Sequence, residues 1–264
     1  MTGEREVVRE QLWNGPPGRR CLVVMDRPAT REPTGTVCLA HGLTGDRSGP
    51  QELLAQLSAD LCARLGVRVI RFDMTGSGDS EGDFADTRFS GMAEDFVGIA
   101  RALCRPGEPL VCAGISIGGV PAVMAAHRLT RAGGADGPRP TGVLLLSSDL
   151  IQGVRFATEG VTAIRGGEFH LPAVFFRERE SIRPRDLLLE TGLPFLLCYG
   201  AADDKVAGES AWFAEHGGTV EAIAGNHLFE SVAARRVLAS ACAGFLRSAF
   251  SLSPSTSDVR EDAR

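Results

Sequence analysis

The chain has 264 residues, 44% of them hydrophobic, and a formal net charge of −5. That length accommodates one large α/β domain or two small ones, with enough apolar residues for a sizeable core. The mildly acidic balance, with no long run of one sign, excludes the basic footprint of a nucleic-acid-binding protein.

The N-terminal stretch MTGEREVVRE is charged and lacks an apolar core, so no secretion signal is expected. No apolar run nears the roughly 20 residues needed to span a bilayer. The seven cysteines form no C-x-x-C pair and lie mostly in apolar runs. They read as small buried hydrophobes in a reducing compartment, with neither disulfides nor a zinc site. A cytoplasmic protein without membrane, nucleic-acid, metal or cofactor partners is expected. A homodimer is left open.

In chain order, the alternation in EVVREQLW predicts an edge strand, followed by strands at 21–26, 36–40, 67–73, 109–114, 142–148, 194–200 and 218–225. Several are continuously apolar, the mark of strands covered on both faces. Segments of helical spacing fall between them at 49–65, 89–104, 117–131, 207–216 and 228–250. Such alternation predicts a mostly parallel central sheet flanked by helices on both faces. Residues 1–250 are expected to form one domain. Residues 150–190 are too long for a connection and predict a short cap insertion, carrying Phe156, Phe169, Phe175 and Phe176. A flexible loop is expected at 131–140 and a disordered tail at 251–264.

The chemistry is also read in chain order. In CLAHGLTGDRSGP (38–50), His41-Gly42 ends a buried-strand pattern. A backbone N–H just past such an end can aim at a developing oxyanion, with Leu43 supplying one and Ile117 a second. The His41 side chain reads as structural. The glycines Gly76, Gly78 and Gly82 lack dinucleotide-loop spacing and open no helix, which argues against nucleotide binding.

Residues 114–118 read G-I-S-I-G. A serine presented on a sharp strand-to-helix turn needs a strained backbone, and Gly114 and Gly118 avoid clashes around it. Ser116 is therefore a candidate nucleophile. Asp203 follows the glycine ending the strand at 194–200, and a carboxylate there can orient an imidazole. Asp204 and Asp149 compete for that role. His227 is the one histidine of five placed between the last strand and the last helix, where a base can reach Ser116.

These stretches carry a resemblance. AHGLTGDRSGP, RFDMTGSGDSEGDF, AGISIGG, YGAADDKV and GNHLF resemble the α/β-hydrolase superfamily, and within it small serine esterases of the cinnamoyl/feruloyl esterase and serine-aminopeptidase-like group. The resemblance spans about residues 35–248. It implies the α/β-hydrolase fold, nucleophile Ser116, acid Asp203, base His227, and oxyanion N–H groups at Leu43 and Ile117. Gly200, Asp203 and Val206 match the family's G-x-x-D-x-x-V spacing. The departures are Ile115 and Ile117 around the serine. With the phenylalanines of the insertion, they point to an apolar pocket.

The expected activity is hydrolysis of an ester or thioester of a small, largely apolar substrate through an acyl-enzyme. Two alternatives use the same fold. One is elimination of a carboxylate such as acetate, or acyl transfer, in a natural-product pathway. The other is a non-catalytic binding module.

Overall fold

A computed structural model describes residues 6–133, 137–152, 155 and 160–252. Eight strands form one sheet in the order β1-β2-β4-β3-β5-β6-β9-β10. They are β1 Val7–Asn14, β2 Cys21–Pro28, β3 Thr36–Ala40, β4 Arg68–Phe72, β5 Pro109–Ile115, β6 Arg139–Leu146, β9 Phe195–Gly200 and β10 Thr219–Ile223. β2 pairs antiparallel with both β1 and β4, and β4, β3, β5, β6, β9 and β10 run parallel. A two-stranded hairpin, β7 Thr162–Ile164 and β8 Phe169–Leu171, stands apart.

The continuous apolar runs become strands because both faces are covered. In β3, Cys38 and Ala40 pack toward α2 (Phe89–Leu103) and α3 (Gly119–Arg131), while Val37 and Leu39 pack toward α1 (Leu53–Leu65) and α8 (Val232–Ala249). Successive side chains point to opposite faces, so a strand buried on both sides needs apolar residues throughout. Edge strand β1 is covered less and alternates half-buried with exposed positions. All seven cysteines are buried and unpaired. Burial pushes the Cys21 and Cys104 thiols up to about 12.

Several boundaries differ from the sequence expectation. The helix expected at 207–216 is two short helices, α6 Asp204–Ala207 and α7 Ser210–Glu215. β6 ends at Leu146 rather than residue 148, because Ser147 turns into the left-handed region at φ 43° and Ser148 bonds elsewhere. β6 also begins inside the loop expected at 131–140, whose residues 134–136 lie outside the described residues, as do 253–264 of the expected tail.

The segment between β6 and β9 holds the β7–β8 hairpin, α4 (Ala173–Ser181) and α5 (Pro184–Thr191). Phe175 stacks on Phe89 of α2 at 4.8 Å, and Phe169 meets Phe84 at 4.9 Å. Glu178 accepts bonds from the Ser90 amide at 2.8 Å and its hydroxyl at 2.6 Å, capping the start of α2. Phe175 and Phe176 are buried, so these aromatics anchor the segment to the body of the protein. Phe175 and Phe176 thus pack on the body of the protein and do not line the cleft over Ser116. Phe156 lies outside the described residues.

Candidate active site

β5 ends at Ile115, the chain makes one tight 3-10 turn over Ser116–Gly118, and α3 begins at Gly119. Ser116 takes φ 53°, a left-handed backbone that is costly for a residue with a Cβ. The turn persists because its neighbours leave no slack. A Cβ on Gly114 would lie 2.2 Å from the Gly118 carbonyl oxygen, and one on Gly118 would lie 2.3 Å from that of His41. Ser148 braces the turn by donating to the Ser116 carbonyl at 2.7 Å. Sequence reasoning passed over Ser148. The signal was a small polar pair, Ser147-Ser148, closing an otherwise apolar strand.

The structure brings Ser116, Asp203 and His227 together. His227 Nε2 lies 3.0 Å from Ser116 Oγ, and His227 Nδ1 lies 2.5 Å from a carboxylate oxygen of Asp203. Asp203 sits at the start of α6, its amide donating to the Gly200 carbonyl at 2.8 Å. Its carboxylate is mostly buried, whereas the His227 side chain is 39% exposed and so reachable from the cleft. Of the competing acids, Asp149 is engaged elsewhere, with Lys205 at 2.6 Å and Arg179 at 3.4 Å. Asp204 opens α6 one residue beyond Asp203.

Leu43 follows Gly42, where a Cβ would stand 3.4 Å from that of Ser116, so this backbone lies against the serine. Leu43 lines the cleft, and Ile117 is half-buried against the core. His41 is buried. Its Nε2 accepts from the Met74 amide at 3.1 Å and its Nδ1–H donates to the Gly42 carbonyl at 2.7 Å. The side chain thus pins the start of the loop that carries Leu43.

The cleft over Ser116 measures about 370 Å³. Leu43, Pro50, Ile115 and Leu228 supply apolar lining, but Thr44, Asp46 and Arg165 make it polar as well. Of the flanking isoleucines that pointed to an apolar pocket, Ile115 lines the cleft, while Ile117 packs against the core. Arg165 comes from the turn between β7 and β8, a contribution that strand and helix patterns could not place. Among the described residues, no group of three His, Cys, Asp or Glu side chains gathers as for a metal ion, and no helix is long and apolar enough to cross a membrane.

An eight-stranded, mostly parallel sheet with helices on both faces and a strained serine turn after its central strand defines the α/β-hydrolase fold. The serine aminopeptidase S33 family matches residues 31–137, which include Leu43, Ser116 and Ile117 but neither Asp203 nor His227. Solved structures of similar fold cover nearly the whole chain. Est1E from Butyrivibrio proteoclasticus, solved with ferulic acid bound, superposes with a TM-score of 0.76 at 18% identity, covering 91% of this chain and 99% of its own. A putative hydrolase from Agrobacterium vitis does so with a TM-score of 0.70 at 20% identity, covering 93% and 100%. The esterase domain of a Rhodothermus marinus protein gives 0.64 at 21% identity, covering 92% and 98%. No curated protein matches the chain by sequence. The protein therefore has the α/β-hydrolase fold.

Proposed function

We propose that the protein is a serine hydrolase that cleaves an ester or thioester of a small molecule through an acyl-enzyme. The observation that carries this reading is the unbroken chain from Ser116 Oγ to His227 Nε2 at 3.0 Å and from His227 Nδ1 to Asp203 at 2.5 Å. A carboxylate can only accept, so Asp203 holds the proton on Nδ1 and leaves the Nε2 lone pair facing the serine.

His227 then takes the hydroxyl proton as Ser116 attacks the carbonyl carbon, and Asp203 stabilises the imidazolium. The backbone N–H groups of Leu43 and Ile117 hold the oxyanion in the tetrahedral intermediate. His227 returns its proton to the leaving alcohol or thiol. His227 takes a proton from water as the water attacks the acyl carbon, then passes it to Ser116 Oγ as the acid leaves.

Two measurements test the reading. A fluorophosphonate is expected to label Ser116 in the wild type, and Ser116→Ala is expected to lower kcat on p-nitrophenyl butyrate by about 10³-fold or more. Unlabelled wild type, or full turnover by the variant, would remove Ser116 as the nucleophile.

A further inference from the structure

Two charged side chains line the cleft over Ser116, and they are not equally satisfied. Asp46 Oδ1 accepts from the amides of Ser48 at 2.7 Å and Gly49 at 3.2 Å. Arg165 donates from Nε to the Thr44 hydroxyl at 3.2 Å, and among the described residues its guanidinium meets no carboxylate. Three arginines of the same inserted segment do, Arg179 with Asp149, Arg183 with Asp186, and Arg185 with Glu209, whereas Arg177 on α4 does not, among the described residues. Among the described residues Nη1 and Nη2 of this exposed side chain meet no partner, so both can face a ligand's counter-ion.

The pairing of Arg165 with Thr44 joins two residues of unusual backbone geometry. Arg165 takes φ 51° and Thr44 takes φ 58°, both left-handed. That conformation is a genuine outlier for a β-branched residue such as threonine. Gly166 and Gly167, at φ 69° and 94°, complete the tight turn that carries Arg165 across to the loop after β3. The Thr44 hydroxyl also donates to the Leu43 carbonyl at 2.6 Å, tying the arginine to the loop beside Ser116. Strained residues of this kind cluster at ligand clamps, where the surrounding fold over-determines them.

With Nε occupied, Nη1 and Nη2 remain as a planar fork that matches the two oxygens of a carboxylate. Asp46 in the same cleft disfavours a second negative charge on the ligand. We infer that Arg165 is a specificity-determining residue that selects esters or thioesters bearing a single carboxylate, held on its guanidinium while the scissile carbonyl lies at Ser116. The inference rests on the serine-hydrolase reading for its reaction, and on the cleft alone for its binding.

The test compares p-nitrophenyl glutarate (the monoester, carrying a free carboxylate) with its neutral counterpart p-nitrophenyl valerate, in wild type, Arg165→Gln and Arg165→Lys. The ratio of kcat/KM for the carboxylated ester to that for the neutral one is expected to fall about 10- to 100-fold in Arg165→Gln, the scale of a lost charge-assisted pair, mainly through KM. The lysine variant should restore part of it. 4-Butyryloxybenzoate, with the carboxylate on the leaving group, shows which side of the scissile bond the arginine serves.

Monomethyl glutarate titrated calorimetrically into Ser116→Ala provides a readout independent of turnover, and adding Arg165→Gln should weaken its binding by a similar factor. A ratio unchanged by Arg165→Gln, or equal loss on both esters, overturns the inference while leaving the hydrolase reading intact. Absent labelling of Ser116 with binding that still depends on Arg165 would sink the hydrolase reading and keep the carboxylate site.

Discussion

The cleft over Ser116 has two sides built by different means. The elbow side is held mainly by backbone packed against Gly114 and Gly118 with no room for a methyl group, with the Ser148 hydroxyl as its one side-chain brace named above. The inserted side, from β7 to α4, is held by side chains: stacked phenylalanines, the Glu178–Ser90 bonds and the Arg165–Thr44 bond. Backbone packing tolerates almost no substitution and so preserves chemistry. Side-chain anchorage can be exchanged residue by residue, so the inserted segment, which reaches the cleft through Arg165, can vary while the elbow stays in place.

Substitution at the elbow should break this contrast most severely. Gly118→Ala forces a Cβ to 2.3 Å from the His41 carbonyl oxygen, where backbone rather than a flexible side chain must move. A loss of about 3 kcal/mol in urea unfolding is expected, with esterase activity falling further than stability accounts for. Ser148→Ala removes a buried hydroxyl that donates to the Ser116 carbonyl. It should cost about 1–3 kcal/mol and lower kcat with little change in KM, since it loosens the serine rather than the substrate wall.

On the inserted side, Glu178→Ala uncaps α2 and should cost about 1 kcal/mol, a Tm drop of about 2–4 °C. Turnover of neutral esters should change less than in Ser148→Ala. If the two variants affected kcat equally, the division between a chemical and a replaceable side would fail.

The smallest effect is a pH slope. Burial holds the His41 imidazole below its ordinary 6.5, against the raising influence of its bond to Gly42 and of Asp73 and Asp46. The unfolded chain therefore binds this proton more readily than the folded one. Stability from the neutral ring is present above about pH 6.5 and is lost as pH falls below it toward the folded value. Thermal unfolding between pH 7 and 5 should show this decline, and His41→Gln should flatten it.

Much of the fold was legible in the chain itself. Continuous apolar runs at β3, β5 and β9 specify strands buried on both faces, because only such strands need apolar residues at every position. The candidates Ser116, Asp203 and His227 were legible as residues at strand ends in a fixed order, each requiring only local pattern. Asp203 stood beside Asp204 and Asp149 because distance to an imidazole is not a property of sequence. The folded chain separates them by placing Asp203 at His227 Nδ1 and Asp149 between Arg179 and Lys205.

Tertiary structure alone decided the rest. Ser148 reaches the elbow only because β6 lies beside β5, and Phe175 faces α2 only because the inserted segment folds back onto it. Arg165 enters the cleft only because two left-handed turns, 121 residues apart, meet there. Sequence pattern records which face of a strand or helix is apolar. It does not record which distant polar atoms that packing brings within three ångströms, and in this protein those contacts brace the serine and shape the wall it faces.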